Sequence, residues 1–330
     1  MTRTYVFIAA LFLLLLSGCS SKEYYEPKNV VGDWSDEESS VELIATGSQG
    51  AVSEEGTIVD ADGVADFKIP TAQRYLGKSD GWIITAKIDG NVTLRSPERN
   101  ATILMPLEKT VASAAVKGDY LAVLFANDDM GIYRLSTKAS YFKTTGTPPV
   151  AVDIRITQPY FLGNLVVFPT LDGRFVVVDY EKKEVLRSTV VSSEPYFDNI
   201  FYFNVIGNAM VAATQHRLYC LSGQERREKF DLRNVVFDDD GIWVATKEGD
   251  VIHLTQSLQR IAKQAFPFAH FLGMIVGKEK IYLLEKEGYL IVMDKAMTQT
   301  KVYSVSLGDD DIVFTAKNAF YAGDQVITIE

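Results

Sequence analysis

Chemistry in a protein needs nucleophiles, proton carriers or metal ligands at workable spacings, and this chain offers few. Its histidines are His216, His253 and His270. Each lies in a β-rich stretch of its own, so they are not expected to converge. No Cys-x-x-Cys or His-x-x-x-His pair supplies zinc ligands. No serine sits in a nucleophile elbow, and no Gly-rich loop is built for phosphate. Asp238-Asp239-Asp240 and Asp309-Asp310-Asp311 are acidic enough for calcium. They lack the spaced ligands and distal Glu of an EF-hand loop, so solvated turns are expected. Cys220, within Leu218-Tyr219-Cys220-Leu221, reads as a small apolar residue inside a strand. The expectation is a protein that is not an enzyme and holds no cofactor or metal.

Cys19 is a different case. Met1-Thr2-Arg3 gives a basic start, and Tyr5 to Leu16 form an apolar run closed by Leu16-Ser17-Gly18-Cys19. That order predicts a signal peptide over residues 1–18, too short for a comfortable transmembrane helix. The closing tetrapeptide resembles the lipobox of bacterial lipoproteins. The resemblance implies cleavage before Cys19, diacylation of its thiol and acylation of the freed amine. Two or three acyl chains, at about 0.8 kcal/mol per buried CH₂, anchor a protein to a membrane that it does not span. Ser20 stands where Asp would favour inner-membrane retention, which implies the outer membrane, periplasmic face.

The body must be positioned by elements that composition and repeats reveal. Hydrophobic residues make up 47% and charged residues 23%, which predicts a packed globular body. The net charge is −10, and one more negative without Arg3. That disfavours nucleic acid and anionic lipid as partners of the body. Residues 19–40 read as the lipidated Cys and a flexible, acidic tether. Tyr24, Tyr25 and Trp34 are unusual in a spacer; docking on the body or on a partner is open to them, and loose packing is the plainer expectation.

Residues 41–330 read as one domain. From about residue 70 a unit of short strands and tight turns recurs, in 81–96, 119–137, 164–186, 208–223, 241–255, 280–295 and a truncated 318–330. A period of roughly 33–43 residues with almost no helical pattern indicates an all-β fold, a single β-propeller of four-stranded antiparallel sheets. Gly90, Gly131, Gly173, Gly249 and Gly288 are expected at the equivalent hairpin. The unit count suggests seven blades. Eight remain open, because residues 41–70 hold more β-like sequence than one strand needs. The last blade is expected to be closed by pairing of N- and C-terminal strands, with 41–45 or 64–69 as the N-terminal contribution.

Gln158-Pro159-Tyr160, Gly163-Asn164-Leu165-Val166-Val167 and Asp172-Gly173-Arg174-Phe175-Val176-Val177-Val178-Asp179 resemble a blade of the quinoprotein-type (PQQ-like) propellers. Among lipid-anchored members the resemblance is to the BamB family of the outer-membrane β-barrel assembly machine. Val152-Asp153-Ile154-Arg155, just before Gln158, is similar to that family's apolar-x-apolar-Arg stretch, which contacts the barrel-forming subunit. Asp198 matches the first of two family aspartates in the next interblade segment, and Ile200 replaces the second. The resemblance therefore implies Val152, Ile154, Arg155 and Asp198 as partner-binding residues on one exposed rim; read without it, Val152 and Ile154 equally fit the innermost strand of a blade, whereas Arg155 is a poor core residue. Quinone-dependent relatives usually have about twice this length, calcium-binding carboxylates and often a vicinal disulfide beside the cofactor, which this chain cannot form.

Asp89-Gly90-Asn91-Val92-Thr93 and Glu98-Arg99-Asn100-Ala101-Thr102 resemble the extended sequon of bacterial periplasmic N-glycosylation. Asn91 and Asn100 are candidate acceptors, and two β-turns with Asn at the bend are the plainer reading. The leading function is a lipid-anchored periplasmic scaffold for protein–protein interaction in outer-membrane barrel assembly. The alternatives are a scaffold for another envelope complex, or an enzyme or ligand-binding propeller with a site in its central channel. Charged residues converging from several blades would favour a channel site, and an apolar plug would oppose it.

Overall fold

The computed structural model describes residues 23–35 and 37–329. The expected leader over 1–18 and Cys19 with its lipid lie outside the described residues. Among those residues there is no helix, and the strands group into eight antiparallel sheets taken in chain order. Blade 1 spans 43–68, blade 2 74–106, blade 3 111–144 and blade 4 160–190. Blade 5 spans 202–229, blade 6 232–265, blade 7 271–304 and blade 8 313–328.

Blade 3 shows why these residues make strands of this kind. Its second strand, Tyr120–Phe125, contains Leu121-Ala122-Val123-Leu124-Phe125 with no polar residue to mark an outer face. Both faces are covered. Leu121, Val123 and Phe125 pack toward blade 2, while Ala122 and Leu124 pack toward blade 4. Side chains alternate across a strand, so a sheet held between two others needs an unbroken apolar run. The outermost strands have no such cover. Gln224–Lys229 is mostly charged and exposed, which also discourages edge-to-edge pairing.

Each neighbouring pair of blades shares its own apolar cluster. The last joins Phe314 and Tyr321 of blade 8 to Leu43 and Val59 of blade 1, so the ring is closed. Fully burying one such aliphatic side chain contributes about 1.5–3 kcal/mol. The ring has eight blades, the count left open above, and not seven. Residues 41–70 supply a whole blade from strands Leu43–Thr46, Ala51–Ser53, Thr57–Asp60 and Gly63–Lys68. The last blade is completed by Glu37–Glu38, antiparallel to Gln325–Val326, and not by 41–45 or 64–69.

The turn glycines behave as expected with one exception. Gly90, Gly173, Gly249 and Gly288 have φ of 91°, 81°, 84° and 83°. Gly131 instead lies within the strand Met130–Arg134. The left-handed position of that hairpin belongs to Asp128, φ 68°. Its buried carboxylate accepts the Leu171 N–H at 2.7 Å, linking blade 3 to blade 4. Burial pushes this carboxyl up to about 7.

Where it is described, the segment expected as a tether is fastened to the ring. Tyr25 is 8% exposed and packs edge-on against Phe266 and Tyr289, centroids 6.1 and 5.9 Å away. Gly32–Asp33 adds a parallel fifth strand to blade 7 beside Thr300–Ser304. Trp34 lies edge-on to Tyr303 at 4.9 Å, and its Nε1 donates to the Thr328 carbonyl at 2.9 Å. Aromatic burial and open strand edges outweigh the polar composition of this stretch.

Candidate protein-interaction site at the channel mouth

Blade 4 begins at Tyr160, so Val152–Gln158 is not the innermost strand of a blade. It is a connecting segment that runs along the central channel. Asp153, Ile154 and Arg155 line a cavity of about 440 Å³ with residues of blades 1, 5, 6, 7 and 8. Thr157, Gln158 and Pro159 line a second cavity of about 470 Å³ with blades 2 and 3.

Polar side chains hold this segment, because an irregular backbone must find partners outside a ladder. Asn199 is fully buried. Its Oδ1 accepts the Asp153 N–H at 2.6 Å, and its Nδ2 donates to the carbonyls of Asp153 and Arg155 at 3.3 and 3.1 Å. The Ser48 hydroxyl donates to the Ile156 carbonyl. Gln158 Nε2 donates to the carbonyls of Leu76 and Ala114 at 2.6 and 2.8 Å. Blades 1, 2, 3 and 5 are thereby tied to one short stretch.

Arg155 commits its donors within the chain. Nε and Nη2 donate to the Asp153 carboxylate, the latter at 2.6 Å, and Nη1 donates to the Arg233 carbonyl at 2.5 Å. Its guanidinium lies 4.1 Å from the Phe201 ring centroid. Burial opposes ionisation of Asp153, but the Arg155 contacts hold its carboxyl below the usual carboxylate range. Gln215 Nε2 donates to the same carboxylate at 2.5 Å.

The expected rim residues separate. Ile154 is 66% exposed at the mouth, and Val152 is half-buried against the cluster between blades 3 and 4. Asp198 is not on the rim: it is 3% exposed. Its Oδ2 accepts the Glu194 N–H at 2.8 Å, and burial raises its carboxyl. A Cβ on Gly173 would stand 2.5 Å from that oxygen, so the close turn of blade 4 encloses the side chain. Ile200 is equally buried. Its neighbours Tyr196 and Phe197 are the exposed residues, and the Phe197 N–H donates to Ala151 O at 3.0 Å. Val150, Ile154, Tyr196 and Phe197 are thus exposed apolar side chains on two adjoining segments.

The other candidates lie elsewhere. Asn91 opens a strand of blade 2, with its amide donating to Asp89 at 2.8 Å. Asn100 is exposed in the hairpin turn, φ 45°. Cys220 is buried between blades 5 and 6, and burial pushes its thiol up to about 11. His253 is stacked on Trp243 at 3.6 Å. The Asp238 Oδ1 accepts N–H groups of Asp240 and Gly241, so that acidic cluster closes a turn. Asn199 and Arg233 went unnoticed in the sequence, since neither lies in a motif or a repeat position.

No family model matches the chain. The plasminogen-binding protein PgbB from two strains of Helicobacter pylori is 28% identical over 335 residues. The match covers 87% of this chain and 62% of that protein, so the chain spans less than two thirds of the relatives' length. BamB from Moraxella catarrhalis superposes with a TM-score of 0.66 at 13% identity, covering 89% of this chain and 98% of that one. The C-terminal WD40 domain of Sif2 gives 0.64 at 11% identity, covering 92% and 100%. At such identities the likeness is one of architecture, and the chain has a BamB-like propeller fold.

Proposed function

We propose that this chain is a non-catalytic, lipid-anchored propeller that presents its channel mouth to a protein partner at the periplasmic face of the outer membrane. The observation that carries the reading is the exposed apolar group of Val150, Ile154, Tyr196 and Phe197 beside a segment fixed by buried Asn199. Apolar side chains held on a rigid frame lose little entropy on docking, which is the usual condition of a binding anchor. The partner of first choice is the barrel-forming subunit of the outer-membrane assembly machine, on the strength of the fold and of Val152-Asp153-Ile154-Arg155. Truncating a central anchor typically costs about 2 kcal/mol, roughly thirtyfold in affinity.

The test is copurification of that subunit with wild type, Ile154→Asp and Arg155→Ala from crosslinked cells. Wild type should recover it and Ile154→Asp should not. Arg155→Ala should lose it through displacement of the 152–158 segment. Normal recovery by folded variants would remove this surface from the reading, and no recovery by wild type would remove the assembly role.

The likeness to PgbB favours a second reading, in which the same mouth binds plasminogen at the cell surface. Immobilised plasminogen distinguishes the two: it would capture wild type and leave Ile154→Asp unbound.

A further inference from the structure

The first channel cavity holds more positive charge than it pairs. Within a chain of net charge −10, it is lined by Arg155, Arg233 and Lys247 against the single carboxylate of Asp153. That carboxylate is already engaged by Arg155 and Gln215. Lys247 Nζ donates to Gln215 Oε1 at 2.8 Å, a neutral acceptor.

Arg233 has no counterpart of this kind. Among the described residues no carboxylate forms an ion pair with it, and its Nε is buried without a hydrogen-bond partner. Its own carbonyl receives Arg155 Nη1 at 2.5 Å, which brings a second guanidinium alongside. Burial, and then the Arg155 charge, pull its guanidinium below its ordinary value. An unpaired, half-buried cation is unfavourable for the fold, and a buried donor left unmade needs an explanation. Strand pairing slips between Leu232 and Asn234, as it does at the matching place in blades 1, 2, 3 and 7, so the bulge at Arg233 belongs to the repeat and the unpaired side chain is what sets blade 6 apart.

We propose that the channel mouth binds a carboxylate, with Arg233 as the group that pairs with it. A carboxylate is planar and matches the guanidinium fork with two parallel hydrogen bonds. The cavity has the size of an ordinary small-ligand site. The carboxylate enters either on a free small acid or on the end of a polypeptide. The site stands whether or not the surrounding apolar rim is also a partner surface.

The test uses the purified full-length chain in detergent. Thermal melts and titration calorimetry are run with sodium succinate and with the peptide acetyl-Leu-Leu-Phe as free acid and as amide. Sodium chloride at matched ionic strength is the reference. Succinate or the free acid should raise the melting temperature of wild type and of Arg187→Gln, an outer-strand control. Arg233→Gln should raise the dissociation constant at least tenfold, yet melt unliganded at or above wild type, because an unpaired charge is gone. Arg233→Lys keeps the charge without the fork and should bind with intermediate affinity. Equal binding of succinate and the free acid assigns a free small acid. Binding of the free acid at least tenfold tighter than both succinate and the amide assigns a polypeptide end. The proposal is overturned if no carboxylate shifts wild type beyond chloride, or if folded Arg233→Gln binds as wild type does.

Discussion

Two non-repeating segments are held to the same ring by opposite means. Residues 23–35 and 37–38 lie along blades 7 and 8, where Tyr25 and Trp34 pack on aromatic neighbours and two short strands extend existing sheets. Residues 150–158 lie along the channel, where Asn199, Ser48 and Gln158 bond the backbone and Ile154 is left in solvent. Burial is strong and tolerant of direction, so it suits a fastener. Hydrogen bonds are weaker in net terms but directional, so they suit a segment that must present side chains in fixed places.

The contrast predicts different costs. Deleting 23–38 should produce the largest loss, because blade 8 loses its outer strand and blade 7 an aromatic cover. Tyr25→Ala alone should cost about 3 kcal/mol by urea unfolding. A melt unchanged by either alteration would show that the segment is passive.

Asn199→Ala should come next. It leaves the Asp153 N–H and two carbonyls without their partner, at about 1–3 kcal/mol. Unlike the Tyr25 variant, it should weaken partner recovery more than a fold of equal stability would explain. Matched circular dichroism spectra with unchanged recovery would dissolve the distinction between fastening and positioning.

Asp128→Asn probes the junction from which the channel segment departs. The folded-state carboxyl is raised to about 7, above the unfolded value. Its contribution to stability is therefore present below the unfolded value and lost as pH rises through about 7. The Asn variant should melt a few degrees above wild type at pH near 8, with the gap closing toward pH 4. A gap independent of pH would assign the effect to something other than this proton. Ile154→Asp should change stability least, within about 0.5 kcal/mol, because surface changes outside a core or network rarely do more. A larger loss on unfolding would mean that Ile154 is part of the packing.

The propeller could be read from the sequence because its turns recur in register with apolar runs. Blade 1 is the faintest in the sequence, since its second strand has only Ala51-Val52-Ser53, so residues 41–70 leave the count open between seven and eight. The docking of Tyr25, Trp34 and the two short strands Gly32–Asp33 and Glu37–Glu38 is hidden by a polar majority around a few aromatic residues. At the candidate site, Ile154 is exposed, while Asp198 is enclosed by the turn at Gly173. Asn199 reaches across blade 4 to the segment that precedes it, and Arg155 meets Arg233 of blade 6. Periodicity describes each blade alone and carries no information about which side chains meet on the axis.

The pairing of Glu37 with Val326 also sets an order of events. Closing so long a loop carries a large entropic cost before any contact repays it, so the ring can shut only after the last strands have been made. Until then the N-terminal strand waits unpaired. It is two residues long and wholly acidic, too short and too charged to recruit a foreign edge while its partner is still missing.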